Sequence, residues 1–376
     1  MIRSLRVQNF KCFEDQFFDF KPLTLLTGLN GTGKSSVLQS LLLLRQSYQQ
    51  GLLATDALAL NGDLAHIGTG RDALFEGAKK EEIGFVLVLQ NEAGYSMEAN
   101  WHFEYMEESD LLDATSTKVD PGVYEADLFT DEFQYLQAER IGPRRFFEKS
   151  KIILGQLNQL GSKGEYTVPF LSHDGHNSIL NHKLVRPDAA SAALRDQVEV
   201  WLREICPGAH IVLTQNRDID IVSLQYSFTM GTQVSNNYRA TNVGFGLTYT
   251  LPILVAVLSS IPGSLILIEN PEAHLHPKGQ AMMGNLLARA ASCGIQVVVE
   301  THSDHVLNSI RVAVHDGELE PDDVQLHFFK RHEQDGQIVV VSPQIDQDGR
   351  LDQWPDGFFD EWDNSLEALL QPRKER

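Results

Sequence analysis

Positions 2–7 alternate apolar and polar residues and predict a strand. The segment 9–20, with Phe10, Phe13, Phe17, Phe18 and Phe20, predicts a further strand or hairpin. Residues 22–27 form a mostly apolar run, which predicts a buried strand, and the leucine-rich segment 35–44 predicts a buried helix. Alternation returns at 82–89 and 95–104. Residues 104–132 are acidic and lack periodicity, which predicts an exposed loop system. Helices are expected over 146–160 and 191–205, the second ending before Pro207 and Gly208. Strands at 210–213, 219–229 and 232–235 then read as a meander.

From residue 264 the rhythm changes to strand 264–268, helix 279–291, strand 295–299, helix 305–314 and strand 323–329, the alternation of a parallel sheet. The pattern predicts an α/β fold with a mostly parallel central sheet, an N-terminal antiparallel β subdomain and an inserted α+β lobe. The expected division is a discontinuous core of residues 1–80 and 240–340, a β-rich and helical lobe at 81–239, and a C-terminal extension at 341–376.

Composition narrows the partners. The 376 residues carry 31 Lys and Arg against 51 Asp and Glu, a net charge of −20, so contact with nucleic acid would need a local basic patch. Arg140, Arg144, Arg145, Lys149 and Lys151 are the one cluster of that kind. Three cysteines, Cys12, Cys206 and Cys293, without metal-ligand spacing fit a reduced compartment. The longest apolar stretch, 247–268, is interrupted by Pro252, Pro262 and Gly263 and reads as helix, turn and strand rather than a membrane span. A soluble, cytoplasmic chain is expected.

Residues 28–35 read G-L-N-G-T-G-K-S, a phosphate-binding loop set between an apolar strand and a helix. Glycines let successive backbone N–H groups curl around an anion, and the helix N-terminus adds positive potential. Asn30, Gly31, Thr32, Gly33, Lys34, Ser35 and Ser36 are therefore the expected phosphate-binding residues. Lys34 would reach the β- and γ-phosphates of a nucleotide, and the Ser35 hydroxyl would ligate Mg²⁺. The apolar run 265–268 ends in Glu269, Asn270, Pro271 and Glu272. Such a strand delivers an acid toward the cation, which makes Glu269 the second expected metal residue. A third apolar run, 297–299, is followed by Glu300, Thr301 and His302, and His302 is placed to bond a γ-phosphate or its attacking water. His274, His276, His302 and His305 match no common zinc spacing.

Together these blocks resemble the ABC-type ATPases of the SMC and RecF branch, in particular the compact bacterial "AAA family ATPases" without a coiled coil. The matching blocks are L-R-V-Q-N-F-K-C-F, G-L-N-G-T-G-K-S-S, L-I-L-I-E-N-P-E-A-H-L-H-P and V-V-E-T-H-S-D-H, with W-P-D-G-F-F-D-E near the C-terminal end. The segment N-V-G-F-G-L-T-Y-T-L-P lies where that family keeps its signature loop. The resemblance implies a head-to-tail homodimer, or a higher homo-oligomer, that sandwiches ATP, with Gly244, Phe245 and Gly246 contacting the nucleotide of the opposite subunit. One departure stands out: the family's second acid is Asn270 here, so Asn270 or Glu272 would position water and hydrolysis would be slow. The chain resembles overcoming-lysogenization-defect proteins without their nuclease domain, which implies a separate effector, a nuclease or toxin, in antiphage defence. The alternatives are a RecF-like repair ATPase that binds DNA through the arginine cluster, and a nucleotide-binding scaffold without turnover.

Overall fold

The computed structural model describes residues 1–91, 93–149, 159–332 and 336–371. Among the described residues, three sheets organise the chain. The first is antiparallel and ordered β2-β1-β5-β6-β7-β4, from β1 (Ile2–Phe10), β2 (Phe13–Asp19), β4 (Ala57–Ala59), β5 (Glu82–Gln90), β6 (Ser96–Glu104) and β7 (Leu111–Val119). The second is ordered β17-β16-β3-β15-β14-β8, from β3 (Leu23–Gly28), β8 (Phe133–Leu136), β14 (Leu265–Glu269), β15 (Gln296–Glu300), β16 (Val324–Arg331) and β17 (Ile338–Val341). All its pairings are parallel except that of β17 with β16. The third is built on β10 (Ala209–Asn216) and β11 (Ile221–Met230), with β9 (Phe147–Glu148), β12 (Gln233–Val234) and β13 (Tyr238–Arg239) against β11.

The parallel sheet is buried on both faces, which is why its strands read as mostly apolar runs. On one face α1 (Lys34–Gln49) is wedged between the two six-stranded sheets. Leu38, Leu41, Leu42 and Leu44 are fully buried there, each contributing roughly 1.5–3 kcal/mol. On the other face lie α2 (Thr167–Asp174), α3 (Leu194–Ile205), α4 (Phe245–Ser259), α5 (Pro277–Ser292) and α6 (Asp304–His315). The chain ends with α7 (Glu361–Leu370). Side chains stitch the two six-stranded sheets together, Gln296 among them. Gln296 accepts from the Ile2 amide at 2.7 Å and donates to the Ile2 carbonyl at 2.8 Å.

Several elements differ from the expectation. Residues 82–136, expected in the inserted lobe, supply β5, β6 and β7 to the antiparallel sheet and β8 to the parallel one. The acidic segment 104–132 contains β7, whose outward Thr, Ser and Lys side chains hide the strand from a hydrophobicity pattern. Phe147 and Glu148 form a strand, not the start of a helix; residues 150–158 of that expected helix lie outside the described residues. Among the described residues, no helix is long and apolar enough to cross a membrane.

Candidate functional site

The carboxyl ends of the parallel strands meet at one edge, where ligands bind in open α/β sheets. From β3 the chain enters the glycine loop, and α1 leaves it at Lys34. Gly28 and Gly33 are demanded by the packing. At Gly28 (φ 133°) a methyl group would lie 2.2 Å from the Phe329 carbonyl oxygen of the paired strand β16. At Gly33 (φ 98°) it would lie 2.4 Å from the Cys12 sulfur. Asn30 and Gly31 are exposed at the loop's tip, while Thr32 is buried and donates its hydroxyl to the Leu29 carbonyl at 2.7 Å. Ser36 is buried on the first turn of α1, its amide donating to the Gly33 carbonyl.

Lys34 is buried, with its ammonium donating to the carbonyls of Gly28 (3.0 Å) and Leu29 (2.7 Å) and lying 4.0 Å from Glu300. Burial lowers its pKa against the opposing pull of Glu300. The Ser35 hydroxyl donates to the Glu300 carboxylate, at 2.8 and 3.1 Å. The acid opposite the loop serine is thus Glu300 at the end of β15, because β15 lies between β3 and β14. Glu269 pairs in register with Glu300 and is held from the far side. The Tyr135 hydroxyl donates to it at 2.7 Å and the Ala138 amide at 3.2 Å. Burial, then the charge of Glu269, keeps Tyr135 a protonated donor. Burial, then the charge of Glu269, also pushes Glu300 up to about 7, against the opposing hydrogen bond from Ser35.

Arg140, expected in a surface cluster, is buried and donates to the carbonyls of Glu269 (2.7 Å) and Asn270 (2.5 Å). Asn270 has φ 44°, and its amide nitrogen on the backbone donates to the Glu300 carbonyl at 2.8 Å. Its side-chain oxygen is buried and takes no hydrogen bond from the described residues. Glu272 is engaged elsewhere, accepting from the Thr301 hydroxyl and the His302 amide, both at 2.8 Å. It therefore fixes the turn that carries His302. Ser303 caps α6 immediately afterwards, accepting from the Val306 amide at 3.1 Å. Burial, then the nearby Lys34 charge, keep His302 below its ordinary pKa and so neutral. A cavity of about 300 Å³ lies between Gly28, Leu29 and His302 on one side and Gly357, Phe359 and Asp360 on the other.

Gly244 precedes the N-terminus of α4. Gly246 packs against the His274 carbonyl, where a methyl group would come within 2.8 Å. Phe245 lies against the His274 ring at 5.5 Å yet remains 53% exposed, a large apolar group presented at the surface. Among the described residues, no three His, Cys, Asp or Glu side chains converge to hold a metal alone. A cation here would share phosphate oxygens, as Mg²⁺ does. The open glycine loop, the lysine resting on replaceable carbonyl contacts and the unpartnered Asn270 oxygen fit such a complex. Sequence reasoning assigned no role to Glu300 or Tyr135, and read Arg140 as part of a surface basic cluster. Glu300 ends an apolar run just as Glu269 does, so the same signal could have found it.

Family models match in three blocks. Residues 1–109 match one described as "AAA ATPase domain". Residues 131–308 match "AAA domain, putative AbiEii toxin, Type IV TA system", and residues 319–369 match "Protein of unknown function (DUF3696)". Among curated proteins, no sequence matches the chain. In structure it resembles an SMC head bound to the C-terminal winged-helix domain of ScpA. That match has 13% identity and a TM-score of 0.54, and covers 92% of this chain and 98% of that one. It also resembles the SMC head with an extended coiled coil, bound to the C-terminal domain of ScpA, from Pyrococcus furiosus. There the identity is 12% and the TM-score 0.55, with 98% of this chain and 99% of that one covered. The chain therefore has the SMC-head form of the ABC-type P-loop ATPase fold. On that fold, two stretches of the sequence are similar to AAA ATPase domains.

Proposed function

We propose that the protein binds ATP with Mg²⁺ and hydrolyses it slowly, using the bound nucleotide to close a head-to-tail homodimer that gates a separate effector. The observation that carries this reading is the meeting of Lys34 and Ser35 with Glu300, and of Glu300 with Glu269, at one sheet edge. Backbone N–H groups of the loop and Lys34 would hold the phosphates, while Ser35, Glu300 and Glu269 would hold the cation, directly or through water. Magnesium, when bound, supplies charge neutralisation at the β- and γ-phosphates. Asn270 accepts a hydrogen bond from the attacking water and neutral His302 bonds the γ-phosphate, while Glu272 holds the His302 turn in place. An amide accepts the water's hydrogen bond but not its proton, hence the slow turnover. Gly244, Phe245 and Gly246 meet the nucleotide of the second copy.

The match to a type IV toxin–antitoxin ATPase domain supports a place in bacterial antiphage defence, with the nuclease or toxin on another chain. The test is solution mass with and without MgATP, alongside phosphate release. A dimer formed only with ATP, with slow release that Lys34→Ala abolishes, is the expected result. A monomer in both conditions contradicts the switch, and rapid release in the monomer contradicts the link between closure and hydrolysis.

A further inference from the structure

The site of one chain is short of positive charge. Lys34 lies 4.0 Å from Glu300, which stands in register with Glu269 and directly before Thr301, the residue that bonds Glu272. The neighbouring cations are committed to backbone carbonyls, Arg140 to those of Glu269 and Asn270 and Arg331 to that of Gly31. A magnesium-bound triphosphate would add further negative charge, and transfer of its terminal group needs that charge neutralised.

Unspent positive charge sits beside the turn of Gly244, Phe245 and Gly246. Arg144, Arg145 and Arg239 are exposed, and none of their side chains makes a hydrogen bond or ion pair with the described residues. The fold draws them together. A methyl group on Gly142 would lie 3.8 Å from the Phe245 ring, so the segment leading to Arg144 and Arg145 flanks that turn. It continues into β9, where Phe147 pairs with Val222 of β11. Arg239 in β13 pairs with Gln225 of the same strand. Strand β10 occupies the other edge of β11, so β9 and β13 share one edge, with these two register positions about 10 Å apart. Arg144 and Arg145 thus follow the segment that flanks the exposed Phe245, and Arg239 lies along the same edge of β11, on a chain of net charge −20.

We infer that Arg144, Arg145 and Arg239 form a phosphate-recognising surface that engages the nucleotide site of a second copy of this chain. The inference rests on the ATP-closed dimer proposed above and names the residues that complete its site. The guanidinium fork suits a planar pair of phosphate oxygens and stays charged at any working pH. The surface on the partner is its negatively charged mouth, Lys34 with three carboxylates, once loaded with MgATP.

The test is trans-complementation. In the full chain, Arg144→Ala/Arg145→Ala/Arg239→Ala is expected to melt like the parent and bind MgATP as a monomer within about twofold of the parent. It should lose the ATP-dependent dimer and lower phosphate release about tenfold or more. Lys34→Ala, which cannot bind nucleotide, should also be inactive. Mixed, the two variants rebuild one intact site, so dimer and phosphate release should return. A triple variant that dimerises and hydrolyses like the parent overturns the inference, as does a mixture that stays inactive. A parent that binds MgATP and remains a monomer overturns the dimer reading itself, and the arginine surface with it.

Discussion

Glu300 is the residue on which the site's electrostatics turn. It receives the Ser35 hydroxyl, neighbours Lys34 and lies in register with Glu269, all from the end of a strand buried on both faces. Removing its charge while keeping its shape should raise the Mg²⁺ concentration needed for phosphate release in Glu300→Gln about 10- to 100-fold. A magnesium titration unchanged by the substitution would remove Glu300 from the cation site. Asn270 offers the opposite experiment. Its side-chain oxygen is buried and takes no hydrogen bond from the described residues. In Asn270→Glu the new carboxylate can accept a proton from water, and phosphate release should rise about tenfold or more with MgATP affinity unchanged. An equal or slower rate would show that Asn270 does not limit hydrolysis.

At the scale of elements, the glycine loop depends on the pairing of β3 with β16. Gly28 abuts a backbone oxygen of β16, which has no side-chain rotamer with which to yield. Gly28→Ala should therefore cost about 2 kcal/mol or more, read as a lower thermal midpoint. A midpoint equal to the parent's would mean the loop can shift freely.

His327 ties the same strand to the antiparallel sheet. Its two ring nitrogens meet the Ser342 hydroxyl and the Asp19 carbonyl, each at 2.8 Å. Those partners suit the neutral ring with Nε2 donating, and burial holds the pKa below the ordinary 6.5. As pH falls below 6.5 the unfolded chain takes up this proton first. The contribution is therefore full above that pH and is lost as pH drops toward the folded-state value. His327→Gln should flatten the acid limb of a stability-against-pH curve, and an unchanged limb would exclude this group.

The sequence legibly carried these elements where burial was two-sided. Runs such as 265–268 and 297–299 announce themselves because no position faces water. Strand β7 did not, since most of its side chains are exposed, and β8, directly after the acidic stretch, is only four residues long. The loop, Glu269 and His302 were readable from motif spacing, whereas the order that inserts β15 between β3 and β14 is a tertiary fact. That order is what brings Glu300 to Ser35.

For the whole molecule, the two six-stranded sheets clasp α1 so that the glycine loop is rigidly mounted before any ligand arrives. The exposed groups are Phe245 at the N-terminus of α4 and the three arginines on or beside one edge of β11. A loading site mounted on a rigid core and a separate exposed contact surface are what a nucleotide-driven dimer needs. The most direct test of the account is calorimetric titration of MgATP into the parent and into Lys34→Ala. Saturable uptake of about one nucleotide per chain in the parent, absent from the variant, is the predicted result. No uptake by the parent, or equal uptake by both, would contradict it.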